Sequence, residues 1–137
     1  MSGRIVKTSV LLMSILGILA MGTAAAADES ASRLLRAGRA EPLLVAHRGA
    51  SARCPENSMS AFVAAVQDGA AMLELDVGLS RDGVLVVLHD DTLDRTTDGS
   101  GPLRAHDLAH LRTLDAGSWF APDFAGEPLP MLEEVLE

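Results

Sequence analysis

The chain has 137 residues, a formal net charge of −8 and a single cysteine. Its length points to one domain, and its acidic balance argues against nucleic acid or an anionic membrane as partner. One cysteine excludes an intramolecular disulfide, so Cys54 is expected to be buried or a free thiol.

Residues 1–27 have the pattern of a secretory signal peptide. Arg4 and Lys7 form a positive segment, Val10 to Met21 is almost wholly apolar, and the small residues Thr23 to Ala27 allow cleavage after Ala26 or Ala27. The apolar run is shorter than the ~20 residues of a spanning helix. A periplasmic or secreted chain is therefore expected, with no stable membrane insertion after cleavage. Residues 28–41 are polar, bear arginine and lack an apolar period, as a linker does. The domain is expected over residues 42–137.

Leu43-Leu44-Val45-Ala46 follows Pro42 as a short apolar run, which predicts a strand buried on both faces, as in a parallel sheet. It ends at His47-Arg48-Gly49. Asn57 or Ser58 can cap a helix with Phe62, Val63 and Val66 on one face, ending at Gly69. Met72 to Val77 alternates strictly, and Asp82-Gly83 signals a turn into a second strand, Val84 to Leu88, that ends at His89. With a two-residue hairpin loop, paired residue numbers sum to 165. Asp76 then opposes His89, and Glu74, Asp76 and His89 share one face. Leu75, Val77, Leu79, Val86 and Leu88 take the other. A parallel crossover cannot fit, because it needs about a dozen residues. Beyond a polar loop, Leu103, Leu108, Leu111 and Leu114 predict a short amphipathic helix. Leu132, Val135 and Leu136 begin another after Pro130.

Glu-x-Asp on a strand presents two hard oxygen donors suited to Mg2+ or Ca2+, although alternating charges on a solvated sheet face are the commoner case. His47 and His89, each at a strand end beside these acids, can exchange a proton near neutral pH. Arg48 carries a planar fork suited to phosphate. His106 and His110, four apart, lack the glutamate of a zinc-protease motif. Asp90, Asp94 and Asp98 lack the spacing of an EF-hand.

The ordered set His47-Arg48-Gly49, Pro55-Glu56-Asn57-Ser58, Gly69-Ala70, Glu74-x-Asp76-Val77, Asp82-Gly83, His89-Asp90, Leu93-Asp94-Arg95-Thr96-Thr97 and Leu129-Pro130-Met131-Leu132-Glu133-Glu134 resembles the glycerophosphodiester phosphodiesterases. The resemblance implies an α/β fold: the N-terminal portion of a TIM-type (β/α)8 barrel of the PLC-like phosphodiesterase type, ending after about three strands. It implies hydrolysis of a small-molecule glycerophosphodiester to glycerol 3-phosphate and an alcohol. His47 and His89 would be the acid/base pair, Arg48 the phosphate ligand, and Glu74 and Asp76 the ligands of a divalent cation, Ca2+ or Mg2+. Glu56 and Asn57 would line the site. A related phospholipase of the sphingomyelinase-D kind, or an inactive partial barrel with a binding role, are the alternatives. Such a barrel typically needs ~250 residues, so the chain is expected to be an N-terminal fragment or a truncated product that neither folds stably nor turns over substrate by itself.

Overall fold

In the computed structural model, which describes residues 8–12 and 42–137, the alternating segment around Glu74 forms the centre of the sheet. The strands are β1 (Thr8–Leu12), β2 (Val45–His47), β3 (Met72–Leu79) and β4 (Leu85–Val87). β2 runs parallel to β3, with His47 opposite Glu74, whereas β1 and β4 run antiparallel to it. The expected linker, and all of the expected signal peptide except Thr8–Leu12, lie outside the described residues; Thr8–Leu12 is β1, so cleavage after Ala26 or Ala27 would remove this strand from the sheet.

Helix α1 (Met59–Gln67) carries the crossover from β2 to β3. Of the two candidate caps, Ser58 takes the role: its Oγ accepts from the Ala61 N–H at 3.1 Å. The helix buries Ala61, Phe62, Ala64 and Ala65. Val63, expected beside Phe62 and Val66, is instead 51% exposed. Adjacent helical residues are about 100° apart, so the Phe62–Val66 row turns Val63 towards solvent. Gly69 closes the helix in a left-handed conformation, as expected. Leu44 and Val45 also depart from expectation, being 58% and 42% exposed. β2 is half-buried only on the side of Ala46, which packs against the core of Phe62, Ala65 and Leu73, whereas the face of Val45 and His47 has no cover among the described residues.

β3 and β4 form the expected antiparallel hairpin, but in a different register. Val77 opposes Val87 and Leu79 opposes Leu85. The Ser80 N–H donates to Val84 O at 3.0 Å, so Arg81, Asp82 and Gly83 make a three-residue loop. The Gly83 N–H donates to Ser80 O, and Gly83 adopts a φ of +83°, the pattern of a type I turn followed by a left-handed glycine. The slip of one residue places Leu88, and not His89, across from Asp76, with the Leu88 N–H donating to Asp76 O at 3.0 Å. Val86 and Leu88 therefore leave the Leu75 face. They join a core with Leu93, Leu103, Leu111, Ala116 and Leu129, while Leu73, Leu75 and Val87 pack with Phe62 and Ala65 in another.

The segment expected as one helix beyond Leu103 is split into a 3-10 turn, Leu103–Ala105, and a single helical turn α2 (Leu108–Leu111), because His106 between them is extended. All four leucines of that segment still contribute to the core. Helix α3 (Leu132–Leu136) begins after Pro130 as expected, and Glu134 accepts from the Met131 N–H at its start. A further 3-10 turn, Pro122–Phe124, carries no apolar period that would announce it. Cys54 is buried as a free thiol.

Candidate functional site

The site forms where β2 ends, alongside Glu74 within β3. His47 closes β2, and its Nε2 lies 3.8 Å from Glu74 Oε2 on β3. The chain then turns through two left-handed residues, Arg48 at a φ of 58° and Gly49 at 79°. A Cβ on residue 49 would lie 2.7 Å from the Ala61 Cβ and backbone, so glycine lets the strand end pack directly on α1. The Arg48 N–H donates to the Glu74 carbonyl at 2.9 Å and meets its Oε2 at 3.2 Å. Asn57 is also left-handed, at a φ of 59°, and its N–H donates to Arg48 O at 3.0 Å.

The Arg48 side chain is mostly covered and surrounded by acid. Its Nη1 donates to Glu56 Oε1 at 2.9 Å, and its Nε lies 3.1 Å from Asp76 Oδ2, an ion-pair contact without hydrogen-bond alignment. Asn57 makes a reciprocal pair with Asp76: its Nδ2 donates to Oδ2 at 3.1 Å, and its Oδ1 accepts from the Asp76 N–H at 3.3 Å. Side-chain exposure at Glu56, Glu74 and Asp76 is 15%, 17% and 16%. Little water screens these charges from Arg48.

His89 enters by a different route. Its Nδ1 lies 2.6 Å from Asp90 Oδ1. Hydrogen bonds from Arg95, followed by that from His89, hold the Asp90 carboxyl well below the usual carboxylate range. An ionised Asp90 only accepts, so Nδ1 carries the proton and Nε2 is left for exchange with another group. Arg95 also donates to Glu56 through Nη1 at 3.0 Å and Nη2 at 2.7 Å. These bonds are the main cause of a lowered Glu56 pKa, with Arg48 adding to it.

His47, Arg48, Glu56, Asn57, Glu74 and Asp76 thus meet directly, whereas His89 joins them through Asp90, Arg95 and Glu56. Asp90 and Arg95 are the residues that site prediction missed. Both stand within the motifs that carry the family resemblance, His89-Asp90 and Leu93–Thr97, without a site role there, and nothing in the spacing points from Arg95 to Glu56. His106 and His110 stay apart from the site; their ring centroids lie 4.8 Å from each other with the planes tilted by 30°. Asp94 and Asp98 accept from the Gly101 and Asp115 N–H groups and brace turns.

Glu74 and Asp76 have the donor chemistry of a hard-cation site, and Glu74 Oε1 and Asp76 Oδ1 take part in none of the bonds above. Among the described residues, no group of three or more His, Cys, Asp or Glu is gathered to hold a metal ion. The two carboxylates are thus a pair of donors and not a full coordination shell.

The sequence profile described as the glycerophosphoryl diester phosphodiesterase family matches residues 47–137. A glycerophosphodiester phosphodiesterase of Caldanaerobacter subterraneus is 50% identical over 95 residues, which cover 69% of this chain and 39% of that protein. The crystal structure of a glycerophosphodiester phosphodiesterase from Agrobacterium tumefaciens superposes with a TM-score of 0.69 at 48% identity, covering 70% of this chain and 42% of that one. An Oleispira antarctica phosphodiesterase, solved with its product sn-glycerol-3-phosphate, gives a TM-score of 0.67 at 46% identity, over 69% and 38% of the two chains. The chain spans about two fifths of the length of these relatives. Their fold is the TIM-type barrel, and the described residues make an N-terminal portion of it: a parallel pair, β2 and β3, with an antiparallel return, β4.

Proposed function

The chain belongs to the glycerophosphoryl diester phosphodiesterase family, and on that footing we propose that the protein hydrolyses glycerophosphodiesters to glycerol 3-phosphate and an alcohol outside the cytoplasm. The observation that carries this is a single connected network, from His47 and Glu74 through Arg48, Asp76 and Glu56 to Arg95, Asp90 and His89. It joins a guanidinium suited to phosphate with two imidazoles at the ends of strands, where barrels of this type place their chemistry.

In this scheme Arg48 is held by Glu56 and Asp76 through Nη1 and Nε, and its Nη2 edge faces a phosphate oxygen of the substrate. The charge developing on that oxygen is met by a group already in place. One histidine takes the proton of the attacking hydroxyl and the other protonates the departing alcohol oxygen. His89 is suited to either part, because Asp90 fixes its tautomer and leaves Nε2 for the substrate. Glu74 and Asp76 would hold a Ca2+ or Mg2+, which when bound supplies further positive charge beside the phosphate. Asn57 keeps Asp76 oriented.

The test is release of glycerol 3-phosphate from glycerophosphocholine by the purified full-length form. His47→Ala and His89→Ala should each lower kcat by about 10²–10⁴-fold, the range for losing a general acid or base. Full activity in either variant would sink the assignment. Calorimetric titration with Ca2+ and Mg2+ tests the cation independently, and unchanged affinity in Glu74→Gln removes that residue from the ligand set.

A further inference from the structure

We propose that Arg95 is a positioning residue of this site, holding the acid/base histidine and the phosphate-binding arginine in one frame. The proposal rests on the phosphodiesterase reading above. Arg95 grips two carboxylates at once. Its Nε and Nη2 donate to Asp90 Oδ2 and Oδ1 at 2.7 and 3.1 Å, and its Nη1 and Nη2 donate to Glu56 Oε2 and Oε1 at 3.0 and 2.7 Å. Both pairs are bidentate, which fixes the plane of each carboxylate as well as its distance.

The two oxygens that share Nη2 are the ones that act on the site. Glu56 Oε1 also receives Arg48 Nη1 at 2.9 Å, and Asp90 Oδ1 also meets His89 Nδ1 at 2.6 Å. A single nitrogen therefore sets the spacing between the anchor of Arg48 and the anchor of His89. These anchors lie on separate parts of the chain, Glu56 in the loop before α1 and Asp90 after β4, and Arg95 is what ties one to the other.

An ordinary surface ion pair contributes little, because one flexible contact in water is worth little. Arg95 is 44% exposed, and packing alone therefore does not explain its placement. Four hydrogen bonds into two carboxylates, each bound in turn to a side chain of the site, form a network and not an isolated pair. A small error in the placement of a reacting group costs much of its rate. Lysine cannot substitute, since one ammonium has no planar fork to align two carboxylates.

The experiment compares wild type, Arg95→Ala and Arg95→Lys for glycerophosphocholine turnover, thermal stability and the 15N signals of the His89 ring. The expected result for both variants is a kcat lower by about 10–100-fold with KM little changed, and partial recovery of Arg95→Ala by added guanidinium. The His89 ring should pass from a single Nδ1–H tautomer in wild type to a mixture in both variants. Wild-type kcat in either variant overturns the proposal, as does a His89 tautomer that stays fixed. If Arg95→Ala does not fold, Arg95→Lys, which keeps the charge, decides by the same readouts. A wild-type protein without turnover defeats the phosphodiesterase reading, and the ring tautomer still decides for Arg95.

Discussion

Protonating Glu56 or Asp90 would remove the acceptors on which Arg48 and Arg95 rest. Both carboxyls titrate below their ordinary values, chiefly through hydrogen bonds from Arg95. Their folded pKa values lie under the unfolded ones, so the stability they contribute is whole above about pH 4–5 and is lost as pH falls through the folded values. Arg95→Ala removes the main cause of both shifts, and its acid-unfolding midpoint, followed by circular dichroism, should lie at higher pH than that of wild type. Coincident midpoints would contradict this. Gly49 has a harsher constraint, because a side chain there meets both a left-handed backbone and the wall of α1. Gly49→Ala should lose about 2–5 kcal/mol in urea unfolding. Much of the site could be read from residue types: acids alternating on a strand, histidines at strand ends, an arginine beside one of them. Arg95 could not. Its partner Glu56 is 39 residues away, and no periodicity encodes a contact between two loops.

Single elements show where sequence patterns carry a fold and where they stop. Apolar alternation located β3, and capping and glycine signals bounded α1, because each depends on neighbours a few residues apart. The register of β3 on β4 depends on the conformation of one glycine. Asp82-Gly83 suits a two-residue loop and a three-residue loop equally, and the choice moves Val86 and Leu88 from one core to the other. Nothing packs within 4 Å of a Cβ at Gly83, so Gly83→Ala should cost only the left-handed backbone, about 1–2 kcal/mol. Ser58→Ala should cost about 1 kcal/mol through loss of the cap. Both are measurable by urea unfolding, and a Gly83→Ala loss as large as that of Gly49→Ala would show that strain and not contact governs both positions.

For the molecule as a whole, β2 ends the sheet with Leu44 and Val45 in solvent. An uncovered apolar edge invites pairing with another copy. The chain of 137 residues should therefore self-associate in light scattering, and Leu44→Lys with Val45→Lys should shift it towards monomer. The export reading makes its own prediction: protein recovered outside the cytoplasm should begin at Ala27 or Asp28 by mass spectrometry, and an intact Met1 terminus would defeat it. The left-handed backbones of Arg48 and Asn57 bear on the molecule's history under selection. Such conformations are costly for a residue with a side chain and cost glycine nothing. At position 48 that relief is outweighed, because glycine would leave the covered carboxylates of Glu56 and Asp76 without their guanidinium. A library of variants screened for survival of heating should therefore keep arginine at 48, and the left-handed backbone with it.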